Sequence, residues 1–148
     1  MVLRAAFPPD APAVAGAFLS MMEEAGMGIA QAHHTAPRLT AAIARGIEDG
    51  TQAWFVCEQD GTIVACAGAI LMATPLDLVL DGKRAIIAGV YTHPAYRQRG
   101  GARKAVSAAV NWCKNAGVKV VRLQTTEPAR GLYESLGFTT GDVMTLKL

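Results

Sequence analysis

"AIIAGVYTHPAYRQRGGARKAV", residues 85–106, joins a buried strand to a helix through a turn of three arginines and two adjacent glycines. Residues 85–92 are apolar and partly β-branched, which reads as a strand. Gly89 near its end points to a bulge or to something pressed close against the backbone. After the turn, Ala102, Ala105, Val106, Ala109, Cys113 and Ala116 repeat at helical spacing, with Arg103, Lys104, Ser107, Asn111 and Lys114 on the other side. Gly117 is a natural C-cap. The first turn of such a helix carries amides without intrahelical partners and the positive end of the dipole. An anion satisfies both. Adjacent glycines let several N–H groups aim inward and let a phosphate approach the chain. Arg97, Arg99 and Arg103 add charge. A solvated helix face is the plain alternative. The nucleotide P-loop and the dinucleotide fingerprint both need glycine spacings that Gly100-Gly101 does not provide. The residues themselves therefore say "pyrophosphate or another oxyanion".

Working outward, "VLRAAF" is a short strand candidate. Asp10 and Pro12 mark the start of a helix with Val14, Ala17, Phe18, Met21 and Met22 on one face, ending near Gly26. Residues 26–36 read as a loop, and a second helix starts near Pro37 and stops at Gly50. "QAWFVCEQ" and "TIVACAGAILM" flank Asp60-Gly61, the signal of a two-residue hairpin turn. "TPLDLVLDGKR" reads as a loop. Past the central helix come the strand "VKVVRLQ", a short helix from Pro128 through Leu136, and strand material in "FTTGDVMTLKL" with Met144, Leu146 and Leu148 on one face. The order β-α-α-β-β-β-α-β-α-β predicts an α/β fold, a mixed sheet with helices on both faces. Connections are short and no linker appears, so residues 1–148 read as one domain.

Composition narrows the function classes. The chain is 51% hydrophobic, which leaves apolar surface for a subunit interface or a greasy channel. Net charge is +2, too small for a polybasic nucleic-acid binder. Cys57, Cys66 and Cys113 are odd in number and far apart, which argues against a disulfide framework and a structural zinc site and fits a reducing cytosol. The N-terminal stretch lacks a secretory apolar region, and the longest apolar run is too short to span a bilayer. A cytoplasmic protein without nucleic-acid, membrane or metal partners is expected.

The segment resembles the acyl-CoA-binding motif of the GNAT superfamily of N-acetyltransferases. The family's Arg/Gln-x-x-Gly-x-Gly/Ala is matched by Arg97-Gln98-Arg99-Gly100-Gly101-Ala102, and the preceding V-x-T-x-P by Val90, Thr92 and Pro94. Downstream, Ala129, Leu132, Tyr133, Gly137 and Phe138 match the family's A-x-x-L-Y-x-x-x-G-F. The two motifs stand at the family's separation. The resemblance implies a GNAT-type, mostly antiparallel mixed sheet whose strands splay at the acetyl-CoA site. It implies acetyl-CoA as cosubstrate, with Arg97 through Arg103 around the pyrophosphate and their side chains within reach of the 3′-phosphate. Gly89 would be the family's bulge, with the Val90, Tyr91 and Thr92 backbone offered to the pantetheine arm and one N–H polarising the thioester carbonyl. Tyr133 would protonate the leaving thiolate. Thr126 stands where many relatives carry Asn against the arm, and its hydroxyl has a shorter reach.

The implied activity is acetyl transfer to an amine, small-molecule or peptide, by direct attack in a ternary complex; no cysteine suggests a covalent intermediate. The rival is a non-catalytic acyl-CoA sensor or regulatory module on the same fold. Glu23, Glu24, His33, His34 and Asp77 are the candidate bases, each with a plainer reading as surface charge, loop pair or turn cap. A homodimer is expected from the apolar content and from the habits of similar proteins.

Overall fold

The computed structural model describes residues 1–27, 32–79 and 82–148. Five strands form one sheet in sequential order: β1 (Val2–Ala5), β2 (Gln52–Gln59), β3 (Thr62–Met72), β4 (Lys83–Thr92) and β5 (Val118–Arg122). Neighbours run antiparallel except β4 and β5, which are parallel. The hairpin expected at Asp60-Gly61 is present: both residues have positive φ, 50° and 76°, and Gln59 pairs with Thr62. That is the type I′ geometry whose twist matches the strands.

Helices α1 (Ala11–Glu24) and α2 (Ala32–Asp49) cover one face, while α4 (Gly101–Asn115) and α5 (Glu127–Ser135) cover the other. Alternation along β3 sorts the two layers. Ala67 and Ala69 pack against Ala105, Ala109 and Cys113 of α4, and Cys66 points into the cluster of Val14, Ile43 and Trp54. Small side chains on both sides bring α4 close to the sheet, so the α4 stripe read from sequence is fully buried at Ala105, Val106, Ala109 and Cys113.

Three expectations change. Residues 75–79 form a short helix, α3 (Pro75–Val79), where a loop was expected. The Thr74 N–H donates to Asp77 Oδ2 at 2.7 Å, which caps its first turn. Helix α2 begins at Ala32, five residues before Pro37, and takes Pro37 inside it at the loss of one backbone hydrogen bond. Part of the expected loop 26–36 lies outside the described residues. Finally, the segment after α5 forms no strand. Met144 and Leu146 are 95% and 82% exposed. Alternation encodes which way side chains face, but a strand also needs a partner ladder, and this segment has none among the described residues. No described helix is long and apolar enough to cross a membrane.

Candidate active site

Two features of β4 open a cleft. First, β4 pairs with β5 only from Lys83↔Val118 to Ile86↔Arg122, after which the strands part. Second, β4 carries a bulge. Cys66 opposes Tyr91 and Gly68 opposes Ala88, so Ala67 alone faces both Gly89 and Val90. Gly89 has φ +62°, and a Cβ there would lie 2.6 Å from Phe18 and 2.7 Å from Trp54. Only glycine meets both conditions. Beyond the bulge, His93 N donates to Val64 O at 2.9 Å. Alternation then turns the Tyr91 N–H toward β3 and the Val90 and Thr92 N–H groups toward the parted side. A cleft of about 750 Å³ lies there, lined by Val90, Tyr91 and Thr92.

The arginine–glycine turn forms the floor of that cleft. A single helical turn, Pro94–Tyr96, brings the chain round, and Gln98 and Gly100 then adopt positive φ, 64° and 79°. Gly100 is the N-cap of α4 and offers no side-chain cap to the first α4 amides, where Gly100, Gly101 and Ala102 line the cleft. Arg97 donates from Nε to Thr92 O at 3.0 Å and from Nη2 to Glu24 Oε2 at 2.6 Å. Arg103 reaches across to α5, donating to Ser135 Oγ at 2.8 Å. Arg99 is the exception. Its guanidinium stacks on Tyr96, 5.4 Å from the ring centroid, and does not line the cleft. Two of the three arginines therefore stand at the cleft with their guanidinium groups already held.

The far wall comes from α5. Tyr133 lines the cleft at its second motif position, is 7% exposed, and meets Phe138 edge-on at 5.9 Å. Burial pushes its phenol above the usual tyrosine value, so it stays protonated at neutral pH. Thr126 is the N-cap of α5 and also lines the cleft; its hydroxyl does not cap the helix.

With that geometry, the comparisons decide the family. The model of the acetyltransferase (GNAT) family matches residues 20–138. The chain belongs to the GNAT family. No curated protein matches it. Among solved structures, it is similar to a GCN5-related N-acetyltransferase from Ralstonia eutropha, at TM-score 0.87 and 22% identity over 99% of this chain and 97% of that one. A predicted acetyltransferase from Clostridium acetobutylicum, solved with acetyl-CoA, matches at TM-score 0.84 and 20% identity over 99% and 94%. Glucosamine-6-phosphate N-acetyltransferase from Arabidopsis thaliana matches at TM-score 0.74 and 17% identity over 100% and 99%. These likenesses show the fold.

In this GNAT protein the candidate bases separate. Glu24 lines the cleft but is paired with Arg97. Asp77 stands near the opposite end of β4, roughly 25 Å along the strand at about 3.3 Å per residue, and is bound to Arg84 and Thr74. Glu23 is exposed on the last turn of α1 and does not line the cleft. The side chains of His33 and His34 lie outside the described residues. The three thiols are buried, and burial raises the pKa of each, to about 12 at Cys66. None is poised as a nucleophile. Of the α1 rim, sequence reading named Glu24 but missed Met21 and Ala25, and it missed Pro128 and Leu132 from α5. For Leu132 a signal existed, since it is the motif residue beside Tyr133; nothing local marks the α1 residues.

Proposed function

We propose that this GNAT protein is an N-acetyltransferase that moves an acetyl group from acetyl-CoA to a primary amine by direct attack in a ternary complex. One observation carries the reading. The parted backbone edge of β4, the N-terminus of α4 and the Tyr133 ring converge on a single cleft. Acetyl-CoA, when bound, supplies the acetyl group as a thioester.

The chain's own groups fit that ligand. Gln98 and Gly100, in left-handed conformations ahead of α4, turn amides toward a diphosphate, and the α4 dipole favours its charge. Arg103, braced by Ser135, stands as a fixed cation for a phosphate. The Val90 and Thr92 N–H groups serve the pantetheine amides and the thioester carbonyl, where a donor strengthens as charge develops on oxygen. The Thr92 carbonyl is shared with Arg97, so it offers the arm one remaining lone pair. The Thr126 hydroxyl takes the arm contact expected of its position. Tyr133 holds its proton for the leaving sulfur, a task suited to a phenol that burial keeps neutral. The buried, free cysteines fit a reducing cytoplasm, and exposed Leu78 and Val79 favour a homodimer in a single-domain chain.

Calorimetric titration with acetyl-CoA, against dephospho-CoA and adenosine, tests the cleft. Turnover with an amine panel then tests the reaction. Tyr133→Phe is expected to lower kcat by roughly 10²-fold with acetyl-CoA affinity unchanged. Binding without turnover on any amine would leave an acyl-CoA-binding module; absence of binding would sink the reading altogether.

A further inference from the structure

The β4 bulge is gripped from the side away from the cleft. Cys66, on the opposing strand, is fully buried and donates from Sγ to the Gly89 carbonyl at 3.3 Å. Tyr91 stands opposite Cys66 in the β3–β4 ladder, with its backbone N–H near the same sulfur. Cys66 thus holds the Gly89–Val90 peptide through its side chain and Tyr91 through the strand pairing. Trp54 supplies the second grip. It pairs directly with Gly68 on β3, and its ring lies over both Gly68 and Gly89, each of whose absent Cβ atoms would stand 2.7 Å from it. The ring is itself anchored, with Nε1 donating to Gln52 Oε1 at 2.9 Å and Gln52 Nε2 donating to Ala42 O of α2 at 3.4 Å.

We propose that Cys66 and Trp54 are positioning residues for acetyl transfer: they hold the Gly89–Tyr91 backbone so that the Val90 N–H points at the reacting carbonyl. This rests on the transfer reading above. Neither residue touches the cleft. A bulge frees an extra residue from the ladder and leaves its peptide orientation to be set by something else. Here a sulfur holds the peptide on one flank of that residue and an indole blocks retreat toward α1. Burial keeps Cys66 as an S–H donor at any working pH. A thiol that only filled space would be replaceable by any small apolar group; a thiol that donates is replaceable only by another donor.

The test compares Cys66→Ala, Cys66→Ser and Trp54→Phe with the wild type. Steady-state kinetics are run with the amine acceptor found in the panel, affinities for acetyl-CoA and for free CoA are measured by calorimetry, and exchange of the Val90 and Tyr91 amide protons is followed without ligand. Cys66→Ala is expected to lower kcat by roughly 10- to 100-fold, the scale of a small misplacement at a reacting centre. It should also speed exchange at Tyr91 and reduce the preference for acetyl-CoA over CoA, with CoA affinity held. Cys66→Ser is expected to restore most of the activity. Trp54→Phe should lower kcat in the same sense, and it serves if Cys66→Ala does not fold. Equal activity in the alanine and serine variants, or amide exchange in Cys66→Ala like that of the wild type, would overturn the proposal. The wild type alone decides the transfer reading: if it neither binds nor turns over acetyl-CoA, both fall, whereas an active wild type with unaffected variants removes only this inference.

Discussion

The two ends of β4 are built to opposite purposes. At its start, Arg84, Ala85 and Ile86 pair with Met72, Leu71 and Ile70 on one side and with Val120, Val121 and Arg122 on the other. Arg84 is further locked by Asp77 and by the Thr74 hydroxyl. At its end, one inserted residue at Gly89 and the loss of β5 leave a backbone edge facing a cleft. Buried backbone groups must find partners. The zipped end finds them inside the protein, while the open end has them ready for a ligand. The bulge half of that difference lies in a single glycine, and Gly89→Ala is the sharpest way to erase it. The left-handed φ would cost roughly 1–2 kcal/mol, and forcing Cβ against Phe18 and Trp54 roughly 1–3 more. The variant is expected to lose acetyl-CoA binding by more than about tenfold, each factor of ten being about 1.4 kcal/mol, and to melt earlier. Binding unchanged with only a lower Tm would show that the open edge does not depend on the bulge.

The arginines of the arginine–glycine turn provide the next test. Arg103 lines the cleft with its head braced by α5, whereas Arg99 lies outside it on Tyr96. A hydrogen bond to a charged group contributes about 1.5–3 kcal/mol; an exposed cation–π contact contributes about 0.5–1 and is made here within the protein. Arg103→Ala should weaken CoA affinity by roughly tenfold, and more so at low salt. Arg99→Ala should change it by less than about threefold, the equivalent of at most about 0.7 kcal/mol. Calorimetry across a salt series separates them. A larger loss at Arg99 would move the phosphate seat out of the cleft.

At the zipped end the expected effect falls on stability. The Thr74 N–H and the Arg84 guanidinium hold the Asp77 carboxyl below the usual carboxylate range. A folded pKa below the unfolded one gives stability that is complete above the unfolded value, near 4. It is lost as pH falls through the depressed folded value. Asp77→Asn should therefore lower Tm at neutral pH by a few degrees, and the two melting curves should converge below about pH 4. CoA affinity at neutral pH should not move. A loss of affinity would mean that the clamp reaches the cleft through β4.

Much of this layout was legible because its causes are local. The Asp60-Gly61 turn, the α4 stripe and the arginine–glycine turn each need only a few neighbouring residues. Gly89 could be read as a bulge or a close approach, and it is both. The grips on it were not legible. Trp54 and Cys66 look like ordinary strand residues until β2, β3 and β4 are laid side by side. Residues 138–148 show the converse error, since their alternation is real but no ladder among the described residues takes it up. The Thr74-x-x-Asp77 capping pattern was visible, yet a five-residue helix has too little periodicity to stand out.

The smallest effect sharpens the comparison most finely, because it concerns a carboxylate inside the site proposed for the anionic cofactor. Glu24 ends α1 and pairs with Arg97, both side chains being nearly half exposed. Such a pair contributes about 0–1 kcal/mol to stability. Its larger consequence is electrostatic. A negative charge on the rim opposes a diphosphate, and it occupies one face of the guanidinium nearest the turn. Arg97 also stays tied to the Thr92 carbonyl, so removing the carboxylate does not release it from the cleft. Glu24→Gln keeps the shape and removes the charge. It should raise acetyl-CoA affinity about two- to threefold at low ionic strength, in line with a pair worth less than about 1 kcal/mol, and the gain should vanish in high salt as the charges are screened. Were affinity to fall instead, Glu24 would be holding Arg97 in its binding position, and the rim of α1 would belong to the machinery of the open end.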